Sequence, residues 1–361
     1  MKKNPYLYIR GLRKVEHTVF AVNDGQKFYY DPQFGNKQAY SSGQQVKRSI
    51  IESLGLPFAA MTFNWEIENY GKAGKEAAKQ KEPHSPCDPS FADQLLGGYM
   101  KAESGTSTVK RRSPLSISAM RPLHPLLGGI ENPSENLTFD RTSHPEHHKV
   151  NVYKIEDKKR VEIEESELLE WLKNNGRNLP NRAFIQDQTR ASGLFVYDIA
   201  IDLRTLFCVS TNRLEPELFP EIEEKLRKEG WIDSKNVFGN CLLCPKDKRE
   251  EIIDSLAESL INWRITSNQS RTFSLMETLA VAISDNANKI AFSMRGDLSD
   301  ETSRPTAKPV IDESSGAEIF QTPLVSSIIP GFTGSSDALD KAQLHITNYL
   351  KSYDYERQEF K

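Results

Sequence analysis

The spacing of hydrophobic and polar positions predicts short strands and amphipathic helices along the 361-residue chain. Runs that alternate between apolar and polar residues, or that are rich in β-branched and aromatic residues, are typical of strands with one face on a core. Such runs predict strands at 6–10, 18–22, 149–155, 193–206 and 275–284. Apolar positions that recur every three or four residues indicate helices that bury one side. They predict helices at 164–174, 219–228, 246–263 and 339–353, besides one near residue 45.

The first predicted helix has recognisable ends. Val46, Ile50 and Leu54 recur every four residues, and the residues between them are mostly polar. Ser41 or Ser42 is the predicted N-cap, because a serine oxygen accepts a hydrogen bond from a free amide at a helix start. A Gly-Leu-Pro run then ends the helix, and Asp-Pro and Gly-Asn dipeptides upstream predict a turn. We therefore expect a turn followed by a capped amphipathic helix.

Two long stretches follow neither period. Residues 71–93 are rich in Lys, Pro, Ser and Gly, and residues 103–148 contain several prolines and a His-rich cluster. Connections of this length inside a compact domain are uncommon and usually functional, so we predict irregular extensions on the core. Residues 297–323 are predicted to be a polar linker. The order of strand, helix, insertion, strand, helix and strand predicts an α+β fold with helices on one face, compatible with a ferredoxin-like split βαβ core.

Composition restricts the possible classes of protein. Hydrophobic residues make up 37% and charged residues 27%, while 47 Lys+Arg against 50 Asp+Glu give a formal net charge of -3. A nucleic-acid surface would therefore depend on local clustering of cations. The four cysteines do not form a disulfide framework in a chain this long, and neither a signal-peptide-like apolar run nor a membrane span is predicted. We expect a cytoplasmic protein without membrane contact. The pair Cys241 and Cys244 has metal-knuckle or redox spacing, which is a weak signal without a second pair.

The start of the first helix is the first candidate for binding chemistry. A Ser-Ser-Gly step leads into a helix whose opening turns carry two amides and two cations. Free N–H groups and the positive end of the helix dipole suit a phosphate, and the cations add charge and donors. An ordinary capped helix exposed to solvent fits the same residues. The candidate ligand groups are Ser42, Gln44, Gln45, Lys47 and Arg48.

A second candidate is the polar loop 267–273, which lies between the longest predicted helix and a strong strand. Its side chains can hydrogen-bond to a sugar–phosphate chain, and a loop that ends the helix and starts the strand fits equally well. The candidate residues in this loop are Asn268, Gln269, Ser270 and Arg271.

A His-rich cluster suggests a different class of function. Imidazoles and a carboxylate at short spacing can bind zinc, as in a metal-dependent hydrolase or nuclease. The cluster has no second ligand set, and a solvated loop is the other interpretation. Its members are Asp140, His144, His147 and His148. Walker, dinucleotide-binding and nucleophile-elbow motifs are absent from the sequence.

The two polar segments together carry a resemblance to a known family. The run DPQFGNKQAYSSGQQVKRSI, placed after a first strand, resembles the Cas-seven (DevR-like, RAMP superfamily) backbone subunits of CRISPR surveillance complexes. The loop NQSRTF before LMETLAVAIS is similar to the second polar loop of that family. The resemblance covers about half of the chain, in the core, and favours a type I, I-B-like Cascade complex.

The resemblance implies a hand-shaped protein. Its modified ferredoxin-like, RRM-type palm would carry a large irregular finger insertion and a hairpin thumb. Residues 1–58 would form the first part of the palm, 59–180 the finger, 181–300 the thumb and the second part of the palm, and 301–361 a C-terminal linker and helix. The thumb itself is expected at 181–192.

The family's role implies a set of partners. Copies of the chain would polymerise along one crRNA and leave its bases exposed to pair with a target DNA strand. Other Cascade subunits would flank them: a guide 5′-end subunit, a large subunit and a guide-processing endonuclease. The subunit would need no cofactor and no metal, and it would not be an enzyme. Carried over by position, the RNA-binding residues are Ser42, Gln44, Gln45, Lys47, Arg48, Asn268, Gln269, Ser270 and Arg271.

Type III relatives suggest one catalytic alternative. They cut target RNA with an aspartate in the loop that precedes the Asp-Pro turn, and Asp24 occupies that place here. An Asp-Gly pair is usually only a turn. Loss of target-RNA cleavage on Asp24→Ala would be the test of this alternative.

Overall fold

The computed structural model describes residues 3–20, 26–70, 75–80, 83–102, 108–131, 138–140, 152–156, 159–176, 182–184, 189–265, 274–299 and 304–361. The helices are α1 Gly43–Glu52, α2 Ala92–Gly97, α3 Glu165–Asn175, α4 Leu203–Leu206, α5 Pro220–Lys228, α6 Lys246–Asn262, α7 Ala287–Ser293 and α8 Ala338–Ser352. Two 3₁₀ turns lie at Glu313–Ser315 and Pro323–Ser327.

The strands are mostly short, and all of their pairings are antiparallel. In chain order they are β1 Tyr6–Thr18, β2 Phe28–Tyr30, β3 Lys37–Ala39, β4 Trp65–Tyr70, β5 Lys75–Gln80, β6 Tyr99–Lys101, β7 Val109–Arg111, β8 Leu115–Ile117, β9 Arg121–Pro122, β10 Gly128–Glu131, β11 Thr138–Asp140, β12 Tyr153–Glu156, β13 Lys159–Glu162, β14 Arg182–Phe184, β15 Arg190–Asp202, β16 Cys208–Ser210, β17 Ile232–Asn236, β18 Gly239–Leu243, β19 Glu277–Ser284, β20 Met294–Ser299, β21 Thr306–Ile311, β22 Glu318–Gln321, β23 Tyr353–Asp354 and β24 Glu359–Phe360.

One sheet organises the core. Its strand order is β10-β15-β1-β19-β22, and β8 and β9 also pair with β15. The central strand β1 places Ile9 opposite Ile199 on one side and opposite Ile283 on the other. The sequence β1–α1–β8/β9/β10–β15–α6–β19, with β1 inserted between β15 and β19, is that of a split βαβ core. The predicted α+β fold is confirmed.

One face of the sheet carries the larger core. Helices α1, α6 and α8 pack there, and Val46 and Ile50 of α1 are fully buried, as their spacing predicts. Strand residues Leu7, Ile9 and Ile283 contribute to the same cluster. The largest core therefore lies beneath α1 and fixes its position on the sheet.

The other face is also covered, which the sequence did not indicate. Helix α7 and the hairpin β20–β21 pack there around Leu12, Ile290 and Met294. The prediction that the helices lie on one face is therefore wrong for α7, a helix too short to show a period. The linker predicted at 297–323 is wrong for β21, β22 and the first 3₁₀ turn.

The boundaries of the finger and thumb stay predictions. Helix α2, within the predicted finger, packs against α1. Further along the chain, β11 pairs with β14 and β12 with β13. The range predicted for the thumb, 181–192, contains β14 and the first residues of β15. Of these two strands, β15 belongs to the central sheet.

A buried arginine joins the central strand to the end of α6. Arg13 is 0% exposed and donates to the carbonyl oxygens of Trp263 at 2.9 Å and Ile261 at 3.3 Å. Its guanidinium lies 3.9 Å from the centroid of the Trp263 ring and 5.3 Å from that of Tyr197. A cation suits the carbonyl-rich end of a helix. Arg13 therefore fixes the C-terminus of α6 to the sheet.

The cysteines are all free and buried. Burial raises the pKa of Cys244 to about 12, and Cys241 lies in the buried part of strand β18. Within the described ranges, no helix combines the length and the hydropathy that a bilayer crossing requires.

Candidate nucleic-acid interface

A short hairpin sets the direction of the chain as it enters α1. Strands β2 and β3 are joined by a turn in which an Asp31 oxygen accepts hydrogen bonds from the amides of Gln33 and Phe34. Gln38 is buried and donates to the carbonyl of Pro125 at 2.8 Å. The hairpin is thereby held against the segment that precedes β10.

Backbone contacts fix the first turn of α1. Ser41 and Met120 exchange two backbone hydrogen bonds of 2.9 Å, although Ser41 belongs to the predicted palm and Met120 to the predicted finger. The next contact is a close approach of Gly43 to strand β8. A Cβ atom at Gly43 would overlap the carbonyl oxygen of Ile117 and lie 3.2 Å from that of Ser118. Glycine is therefore required for the helix to start this close to the sheet.

Two of the predicted RNA-binding residues take part in the helix cap. The Ser42 side chain accepts from the Gln45 amide at 3.4 Å, as an N-cap does. The Gln45 side-chain oxygen in turn accepts from the Ser41 hydroxyl at 3.0 Å. These hydrogen bonds stabilise the start of the helix. The groups that stay available for a ligand are therefore mainly those of Gln44, Lys47 and Arg48.

Lys47 has the least ordinary environment of these residues. It is half-buried, and within the described ranges it has no ion pair. Burial lowers its pKa below the ordinary lysine value, and no carboxylate contributes to the shift. A half-buried cation without a counter-charge is costly and favours binding of an anion.

The environment of Arg48 is that of an ordinary surface residue with an ion pair. Its side chain is 80% exposed and pairs with Glu52 one turn later, with 2.6 Å between the Arg48 Nε and a Glu52 carboxylate oxygen. An exposed pair of this kind contributes little to stability. The pair can therefore open when a stronger anion competes for the guanidinium.

Lys47 and Arg48 line a groove of about 1190 Å³ between α1, α2 and β8. Partly exposed Phe58 and Met61 add apolar surface to it. The remaining groove residues are Gly43, Gln44, Ile51, Glu52, Ala59, Asp93, Gln94, Gly97, Gly98, Ser113, Leu115, Ser116, Ile117 and Ala119. The α2 wall was not predicted, because Ala92–Gly97 is too short to show a helical period.

The other candidate residues fall largely outside the described residues. This holds for Asn268, Gln269, Ser270 and Arg271 of the second polar loop, for Asp24, and for His144, His147 and His148. Asp140 lies at the end of β11. The described residues contain no group of three or more His, Cys, Asp or Glu that could hold a metal ion, and this includes the surroundings of Cys241 and Cys244.

The residues that flank the second polar loop are described. Ile265 is buried in the larger core just after α6, and the Ser274 hydroxyl accepts from the Glu16 amide at 3.4 Å. The two ends of the loop are thus held at the end of α6 and beside the end of β1.

Comparisons with known proteins complete the description. No protein-family model matches the chain, and no curated protein matches it significantly. A solved chain described as "CRISPR RNA-guided surveillance complex, pre-nicking" is 10% identical, with 96% of this chain and 88% of that chain covered and a TM-score of 0.42. Another, described as "CRISPR RNA-guided surveillance complex", is 8% identical, with 96% and 84% covered and a TM-score of 0.35. Similarities this weak do not establish a shared fold or a shared function.

Proposed function

We propose that this chain is a crRNA-binding backbone subunit of a Cascade-type CRISPR surveillance complex. The observation that carries the proposal is Lys47, a half-buried cation without an ion pair in the described ranges, in a groove at the first helix. The sequence resemblance implies that this helix binds phosphates of the guide RNA. A phosphate in the groove would supply the missing counter-charge.

The proposed subunit binds the guide without reading its sequence. Phosphate contacts fix the position of an RNA but do not depend on its bases, which suits a protein that must accept any guide. The bases would stay exposed to pair with a target DNA strand. The partners are the crRNA, further copies of the chain, the guide 5′-end subunit, the large subunit and the guide-processing endonuclease. The proposed role is non-catalytic.

Replacement of both groove cations tests whether they bind RNA phosphates. We expect Lys47→Met with Arg48→Met to lower affinity for single-stranded RNA about tenfold and to reduce the slope of affinity against salt, because fewer counterions are released. Filter binding at several salt concentrations measures both. The matched control is Lys246→Met with Lys341→Met, which removes two exposed cations outside the groove. Equal affinity and equal slope in the groove variant and the control would contradict the proposal.

The lowered pKa of Lys47 predicts a pH dependence. The ammonium must be charged to hold a phosphate, so RNA affinity should fall as pH rises through a lowered pKa, before ordinary lysines titrate. Stability should change in the opposite direction: between the lowered folded pKa and the ordinary unfolded pKa, the unfolded chain binds more protons, so stability rises with pH.

An oligonucleotide of adenine and cytosine alone avoids titration of the bases in this measurement. In Lys47→Arg the guanidinium stays charged, and the alkaline loss of affinity should disappear. The prediction is wrong if the variant and the original protein lose affinity in parallel.

A further inference from the structure

The groove at α1 has two chemically different ends. One end carries the cations Lys47 and Arg48. The other carries Asp93, whose carboxylate accepts hydrogen bonds from the Ala59 amide at 3.1 Å and from the Gln94 side chain at 2.9 Å. Asp93 on α2 and Lys47 on α1 line the same groove, and within the described ranges Lys47 has no ion pair. The cationic end suits a phosphate, while the carboxylate end repels a second one.

Gln94 has an unused acceptor at the carboxylate end. The residue is 6% exposed, and its Oε1 atom is buried without a hydrogen-bond partner in the described part of the chain. The orientation of the amide is fixed by Asp93, because a carboxylate only accepts and must face the amide nitrogen. The oxygen has no donor in the described part of the chain, whereas most buried acceptors have one.

A ligand that fits this groove has a neutral donor for the Gln94 oxygen and a phosphate for the cations. A ribose 2′-hydroxyl meets both conditions, because it belongs to the same nucleotide as the phosphate and can donate. A donor on a base would make binding depend on the guide sequence, which conflicts with a backbone role. The groove, at about 1190 Å³, has room for a nucleotide, and Phe58 and Met61 provide apolar surface for its sugar.

We propose that Gln94 accepts a hydrogen bond from a 2′-hydroxyl of the guide and makes this groove selective for RNA over DNA. The inference rests on the proposed function and adds a specificity-determining residue to it. The oxygen is covered by its neighbours, and the proposed contact requires a side-chain rotation in the groove wall that exposes it. A 2′-hydroxyl is the group by which a protein can distinguish RNA from DNA.

The test compares one oligonucleotide sequence made as RNA, as DNA and as 2′-fluoro RNA. The 2′-fluoro form keeps the sugar conformation of RNA but lacks the donor. We expect the protein to bind RNA about tenfold more tightly than either of the other two. In Gln94→Met this preference should fall to about one, with DNA affinity unchanged.

Gln321→Met is the matched control. The Gln321 amide also donates to a carboxylate, that of Glu313 at 2.8 Å, and its oxygen is also buried without a described partner, but it lies outside the groove. This variant should keep the preference for RNA. Thermal unfolding of both variants shows whether a loss of preference reflects the contact or the fold.

The outcomes separate the two proposals. Equal binding of RNA and 2′-fluoro RNA by the unmodified protein, or an undiminished preference in a folded Gln94→Met variant, overturns the role of Gln94 alone. RNA binding that does not respond to removal of Lys47 and Arg48 also overturns the proposal that these cations bind the guide RNA.

Discussion

Substitution of Gly43 by alanine is expected to destabilise the protein by about 3 kcal/mol and to impair the proposed RNA binding with it. The added methyl group would overlap the carbonyl oxygen of Ile117 and crowd that of Ser118. Both are backbone atoms beside the pairing of Ile117 with Ile199, so they cannot move without disturbing the sheet. The start of α1 must shift instead, and Lys47 shifts with it. Chemical denaturation followed by circular dichroism measures the loss.

Gly129→Ala is the control for this experiment. Gly129 has nothing within 4 Å of an added Cβ. Its φ is not positive, so alanine fits the backbone there. The control should leave stability within about 0.5 kcal/mol of the original. A Gly43→Ala variant as stable as this control would show that the close approach of α1 to β8 is not needed.

The second large effect is expected at Arg13. We expect Arg13→Met to lower the free energy of unfolding by about 3 kcal/mol. The methionine removes the cost of burying a charge, but the Ile261 carbonyl oxygen loses the Arg13 donor. The Trp263 carbonyl oxygen also loses Arg13 and keeps the donor Arg264 at 2.8 Å. The cation–π contact with the Trp263 ring is lost as well. Denaturant unfolding measures the balance of these terms.

Arg13→Lys separates charge from geometry. Lysine keeps the cation but cannot donate from a planar fork to two carbonyls while it stacks on an aromatic ring. We expect it to recover less than half of the lost stability. If Arg13→Met is as stable as the original or more stable, burial of the charge outweighs its contacts, and the residue must be kept for another reason.

Long periodic segments were the most predictable part of the fold. Helix α6 was predicted at 246–263 and observed at Lys246–Asn262, because its apolar positions persist over many turns. The central strand was predicted only at 6–10 although it continues to Thr18, since the buried Arg13 looks like a surface residue in the sequence. The separate strand predicted at 18–22 shares only Thr18 with it, and residues 21 and 22 lie outside the described residues. The hairpin β20–β21 was missed because polar residues interrupt both strands and, of their residues, only Met294 and Ile311 are buried.

The candidate site was predictable only in part. The cap at Ser42 and the inward face of α1 follow from local sequence. The half-burial of Lys47 does not, because it depends on a wall formed by α2 and β8 from distant segments. Asp93 and Gln94 lie on α2, which is too short to show a period, so only the folded structure brings them into the same groove as the predicted cations.

The pairing of β1 has a consequence for synthesis of the protein in the cell. Its hydrogen-bonding neighbours, β15 and β19, are made more than 170 residues later, since β1 ends at Thr18 and β15 begins at Arg190. At ribosomal speeds of about 5–20 residues per second, the strand waits roughly ten seconds or longer for either partner. During that time both of its edges are open to wrong pairings, and helper proteins would be valuable. Completion of the central sheet must therefore follow synthesis of β19 at Glu277–Ser284.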